Sequence, residues 1–223
     1  MIKIDVILEH ALALCEQAVA IWIAGGWAMA AIAANALVLF AVGIHVHLKL
    51  RGKRFRAVPE VTWRRWIGSP GERRGPVGEL LDFVTGAPSL KELSVYFREL
   101  RTTEIVPFSR DLRVMKICVS AAPLLGLLGT VTGMLTTFNA LASGSGGDKT
   151  MALIASGISE ALITTETGLV VALAGLFYWY QLARNHERYK AFLAHLETVC
   201  AQSLYRRLRQ QQASAPPVAP GIT

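Results

Sequence analysis

Three stretches almost free of charge decide what this chain can fold into. No Asp, Glu, Lys or Arg stands between Glu16 and Lys49, and none stands between Lys116 and Asp148. Between Lys149 and Arg184 the only charges are Glu160 and Glu166. A hydrocarbon layer about 30 Å thick is crossed by roughly 20 helical residues, since each advances the helix by about 1.5 Å. Each stretch is long enough to cross. The pattern predicts an all-α integral membrane protein with three transmembrane helices. Composition agrees: 52% of the 223 residues are hydrophobic and 17% are charged, where a soluble domain carries about 25% charged residues. A disordered chain is excluded, and an ordinary soluble enzyme is a poor fit.

The basic residues predict the orientation. Of the 23 Lys and Arg residues, 15 lie from Lys49 to Lys116 and six follow from Arg184. Lys3 alone precedes the first stretch, and Lys149 alone separates the second from the third. Basic loops stay on the cytoplasmic side. The N-terminus is therefore expected outside, the long connection and the C-terminus in the cytoplasm, and the short Gly144–Asp148 connection outside. In a bacterium this is a multi-pass inner-membrane protein with a periplasmic N-terminus. The formal charge of +7 then reads as a topology signal with an attraction to anionic lipid, and no nucleic-acid partner is called for. No cleavable signal peptide is read, because Asp5 and Glu9 follow Lys3.

The expected segments are an amphipathic helix on the periplasmic side at 1–17, spans at 18–45, 116–142 and 150–183, a cytoplasmic helical domain at 46–115, a periplasmic loop at 143–149, a cytoplasmic helix at 184–210 and a disordered tail at 211–223. Asn35, the one polar side chain well inside the first span, reads as an interhelical hydrogen bond. His45 and His47 point about 200° apart on a helix and cannot share a metal. Trp63, Arg64, Arg65 and Trp66 fit a membrane-interface anchor or a helix elbow. Pro59 to Pro76 reads as broken and loop-rich. Ser89 and Glu92 form a capping box for a helix with Leu93, Tyr96, Phe97 and Leu100 on its apolar face. Pro107 is the one candidate break before the second span. Cys15, Cys118 and Cys200 are odd in number and scattered, so they read as small buried residues rather than a disulfide framework.

The second and third spans carry the chemistry. Gly126, Gly129 and Gly133 recur at spacings of three and four, with Ala122 four before Gly126. Such stripes let helix backbones approach closely in lipid. Thr130, Met134, Thr137 and Leu141 form another stripe, so two hydroxyls run along an otherwise apolar helix. In the third span Glu160, Thr164, Thr167 and Val171 share a stripe, while Glu166 points about 120° away from Glu160. A charged side chain at mid-bilayer costs about 2.5–3.5 kcal/mol on insertion scales. Low dielectric favours the neutral acid, so either carboxyl is a candidate proton relay. The bland alternatives are hydroxyls bonded to their own i−4 carbonyls and a neutral acid bonded between helices.

The run from Ala122 to Val131, APLLGLLGTV, followed by Gly157 to Thr165, GISEALITT, and Gly168 to Leu173, GLVVAL, resembles the MotA/TolQ/ExbB proton-channel family, with the ExbB and TolQ branch closest. The resemblance covers about Leu112 to Tyr180. It implies a homopentameric ring whose second and third spans line a pore, with long helices extending into the cytoplasm. Inside the pore it implies single-span ExbD- or TolR-like helices with a proton-carrying aspartate, and beyond them a TonB- or TolA-like client. On this pattern Thr130, Glu160 and Thr165 fall at the family's pore positions. Helical spacing alone puts Thr164 beside Glu160, so both threonines are kept, with Thr137 as a further lining residue. Two departures stand out: Ala174 replaces the usual proline, and Glu166 is a second carboxylate at a position commonly uncharged.

The implied output is an inner-membrane motor that turns proton motive force into work for transport across the outer membrane. The competing readings are a non-conducting scaffold held by the glycine stripe, and a family motor with another output such as envelope integrity or gliding. No enzyme is expected, because no H-E-x-x-H or G-x-S-x-G motif occurs. No cofactor or metal is called for.

Overall fold

A computed structural model describes residues 22, 25–53, 55, 58–143 and 147–214. The expected N-terminal amphipathic helix and Cys15 lie outside the described residues. Within them the chain is helical, with five α-helices: α1 (Gly26–Gly52), α2 (Glu60–Gly68), α3 (Gly75–Thr85), α4 (Leu90–Ala142) and α5 (Asp148–Ser214), plus a 3₁₀ turn at Pro70–Glu72. Three of these, α1, α4 and α5, are long and apolar enough to cross a membrane. Of the expected 18–45 span, the described residues hold α1, which runs on to Gly52. Helix α5 runs four residues past Gln210, into the segment expected to be tail.

Local signals account for the helix ends. Glu92 N–H donates to Ser89 Oγ at 3.2 Å, which is half of the capping box, and Leu93 N–H donates to Ser89 O at 3.0 Å. Helix α4 continues through Pro107 for 53 residues without ending there. Pro59 caps α2, and Pro76 stands in the first turn of α3, where a missing N–H costs nothing. The segment expected to be loop-rich therefore holds two short helices, because its prolines sit at helix starts.

The chain divides into two compact units. The first contains the described residues up to Ile44 together with Leu112–Tyr180. Its contacts are close-backbone contacts. Asn35 Nδ2 donates to Cys118 O at 3.0 Å, the interhelical bond expected of that side chain. Trp179 Nε1 donates to Leu112 O at 3.0 Å, and Lys116 Nζ lies 5.7 Å from the centroid of the same indole, within cation–π range. A Cβ at Gly43 would overlap the Tyr178 ring, which stacks on Phe40 at 6.3 Å.

The second unit contains His45–Asp111 and the described residues from Gln181 onward. Its core is built from large side chains: Phe97, Phe108, Leu81, Leu193, Leu196 and Tyr189 are each at most 1% exposed. Leu93, Phe97 and Leu100 are buried, as their spacing predicts. Trp63 and Trp66 are also buried, at 2% and 9% exposure. They are core residues rather than an interface anchor: Trp63 packs edge-on against Phe192 and His195. Arg73 pins this unit, donating to Trp66 O at 2.8 Å, Asp82 Oδ1 at 2.6 Å and Thr85 Oγ1 at 2.8 Å. Cys118 and Cys200 are free and buried.

Candidate functional site

The site is the antiparallel pair of α4 and α5 in the first unit. Small residues on both helices set their separation. Gly133 lies against Gly157 and Ala161, Gly129 against Thr164, Gly126 against Thr164 and Thr165, and Gly168 against Ala122. A Cβ at Gly133 would stand 2.6 Å from Gly157 O, and one at Gly168 would stand 2.8 Å from Ala122 O. Backbone cannot yield as a side-chain tip can, so these positions admit only hydrogen. The glycine stripe of α4 was visible in the sequence. Its counterpart on α5, Gly157, Ala161 and Gly168, was not singled out, although its spacings of four and seven are the same helical signal.

The threonines bond to backbone carbonyls. Thr130 Oγ1 donates to Leu127 O at 2.6 Å and Thr137 Oγ1 to Met134 O at 2.7 Å. Thr164 Oγ1 lies 3.0 Å from both Glu160 O and Ala161 O. Thr165 Oγ1 lies 3.1 Å from Ala161 O in its own helix and 3.2 Å from Gly126 O across the pair. Thr164 and Thr137 are buried between the two helices, at 0% and 4% exposure. Thr130 and Thr165 are half-buried and keep a face outside the pair.

The two carboxylates occupy different surroundings. Glu160 stands 12 residues into α5, about 18 Å from its start, and is half-buried. Its side chain lies against Gly26, the first residue of α1, so closely that a Cβ at Gly26 would overlap Oε1. Gly26 has φ of 60°, a left-handed conformation that glycine adopts without penalty. The carboxylate therefore faces the N-terminal end of a helix, where unpaired N–H groups favour negative charge. Sequence spacing did not reveal this contact, because 134 residues separate the two. Glu166 is exposed. It stands in a stripe of exposed apolar side chains, Leu162, Leu169, Val170 and Leu173. On α4, Thr130 opens onto a shallow cavity of about 320 Å³ with Val131, Met134, Leu135 and Phe138.

His45 and His47 are exposed on α1. Among the described residues no group of His, Cys, Asp and Glu side chains is arranged to hold a metal ion.

Comparison with known proteins places this helix pair. Residues 90–197 match the model of the MotA/TolQ/ExbB proton channel family. An ExbB-like 1 protein of Synechocystis is 42% identical over 90 residues, which are 40% of this chain and 35% of that one. The biopolymer transport protein ExbB of Salmonella typhimurium is 37% identical over 101 residues, 44% of this chain and 39% of that one. The Tol-Pal system protein TolQ of Pseudomonas aeruginosa is 31% identical over 90 residues, 39% and 38% of the two chains. The chain thus spans well under half the length of these relatives. Residues 90–197, which hold the glycine-packed segments and Glu160, are thus similar to the MotA/TolQ/ExbB proton channel family, with the relatives above in its ExbB/TolQ branch.

Proposed function

We propose that the chain is the ring-forming subunit of a proton-driven motor in a bacterial inner membrane. Five copies surround the single transmembrane helices of an ExbD- or TolR-like partner. The N-terminus lies in the periplasm and the C-terminus in the cytoplasm, on the strength of the Lys and Arg distribution, and the basic side meets anionic lipid. The observation that carries the reading is the half-buried Glu160 carboxylate inside a family-matched, glycine-packed helix pair. A passive scaffold needs the glycines and has no need of the carboxylate.

Protons enter from the periplasm, load the partner's aspartate and leave past a polar path. Thr130, Thr165 and Glu160 each keep a face outside the helix pair and are its leading members. Thr137 and Thr164 support that path from within the pair, since both are buried there. Gly126, Gly129 and Gly133 hold the two helices at the separation this requires. Glu166, standing on an exposed apolar stripe, is a second protonatable ring or a contact between copies. Each proton crossing yields about 2.3 kcal/mol per 100 mV. The work is delivered to a TonB- or TolA-like client for transport across the outer membrane, as the family resemblance implies.

The test is proton uptake by vesicles that hold the chain with an ExbD- or TolR-like partner. Glu160→Ala and Thr130→Ala should each abolish most partner-dependent uptake while the ring still assembles. Unchanged uptake in both variants would overturn the reading. Glu166→Gln separates its two roles: reduced uptake assigns it to the path, and reduced assembly assigns it to the contact.

A further inference from the structure

The second unit encloses a cavity of about 220 Å³ between α3, α4 and α5, closed by Lys53 and Phe55. Drug-sized pockets run from roughly 300 to 1,000 Å³, so this one suits a fragment-sized molecule. Its floor and walls are apolar and largely aromatic. Phe83 and Leu80 of α3 face Leu100 of α4 and Phe192 of α5 across it, with Leu100 buried and Phe83 exposed towards the mouth.

Three polar groups break the apolar lining. The first is Tyr189, which is 1% exposed and whose hydroxyl lies beside the Glu104 carboxylate. Burial, with the Glu104 carboxylate near it, pushes this phenol above its ordinary range and keeps it protonated. The second group is Glu104, whose charge is offset by Lys53 at 2.5 Å. The third is Glu79, exposed at the rim and without an ion pair among the described residues. The charged side chains of the lining, Lys53, Glu79 and Glu104, leave one negative charge in excess.

We propose that this cavity binds a small amphipathic amine: a primary ammonium group on an apolar or aromatic body. The body replaces water against Phe83, Phe192 and Leu100. The ammonium donates to the Glu79 carboxylate at the rim. Aromatic faces around the rim add attraction for a cation. An anionic analogue of the same size meets Glu79 and finds no free cation, because Lys53 is occupied by Glu104. The site is independent of the proton path and stands or falls apart from it.

The experiment titrates 2-phenylethylamine into the full-length chain in detergent and follows saturable binding by calorimetry, with phenylacetate as the size-matched anion. The amine should bind at least about tenfold more tightly than phenylacetate, as loss of one charge-assisted contact predicts. Glu79→Gln removes a rim charge without disturbing the core and should weaken the amine about threefold to fivefold. Leu80→Trp, which fills the space and touches none of the polar groups, should abolish binding. Equal binding of amine and acid overturns the proposal. So does amine binding that Leu80→Trp leaves unchanged. Failure of the amine to bind, where a lysine-containing peptide does bind, overturns it in favour of a protein segment as occupant.

Discussion

The same two helices pack by opposite means in the two units. In the first, α4 meets α5 through Gly126, Gly129 and Gly133 against Gly157, Ala161 and Gly168, and large apolar side chains such as Leu127, Val131, Leu162 and Leu173 point away from the pair. In the second, α4 and α5 supply Phe97, Phe108, Tyr189, Leu193 and Leu196 to a core of large side chains. Ion pairs lie at its margin, among them Arg101 with Glu197 and Arg64 with Glu60. The two patterns are those that suit different solvents. In water, burying a large apolar side chain is the main driving force. In lipid that force between helices is absent, so close backbone packing takes over. The first unit is inside-out by the standards of the second.

The contrast can be broken most strongly on the second side. Phe97→Ala removes a fully buried ring from α4 and should cost about 3–5 kcal/mol. Hydrogen exchange should show protection lost across α2, α3 and the 181–214 part of α5, with the glycine-packed segments still protected. Equal loss everywhere would mean that the two units do not unfold separately. On the first side, Gly133→Ala places a methyl against Gly157 O and Ala161 and should cost about 1–3 kcal/mol. Its readout is the SDS fraction that unfolds half the helix by circular dichroism. A neutral result would show that the pair can widen freely.

A smaller effect sharpens the comparison through pH. His186 lies in the second unit, 2% exposed, with Nε2 3.1 Å from Ser109 Oγ and the ring against Phe108. Burial first, then the nearby Lys190 charge, lowers its pKa below the ordinary value of 6.5, with Glu187 opposing. The folded chain therefore resists a proton that the unfolded chain accepts. Stability from this group is fully present above pH 6.5 and is lost as pH falls from there through the lowered value. Thermal unfolding of the second unit should drop between pH 7.5 and 5.5, and His186→Gln should flatten that drop.

Much of this arrangement could be read from the sequence, and what could not shares one cause. Charge-free length marked three helices suited to a membrane, and Ser89 with Glu92 marked the start of α4. Period marked Leu93, Phe97 and Leu100 as core. Each of these is a local property. Period also relates residues on one helix to each other, but it does not say which neighbour covers them. Thr164 and Thr165 differ by about 100° around α5, and only the position of α4 decides that the first is buried and the second half-buried. The same gap hid the contact of Glu160 with Gly26. The interface-anchor reading of Trp63 and Trp66 failed for a related reason: aromatic residues beside arginines look alike at a membrane surface and over a core of large side chains.

The threonine hydrogen bonds carry one further consequence. Thr130, Thr132, Thr136, Thr137, Thr164 and Thr167 all give their hydroxyl protons to carbonyls of their own helix. What such hydroxyls still offer a visitor is lone pairs. A helix pair dressed in this way is polar yet one-sided in its chemistry. It welcomes a species that brings hydrogen with it, such as a neutral carboxylic acid or a hydrated cation, and has nothing to give an anion.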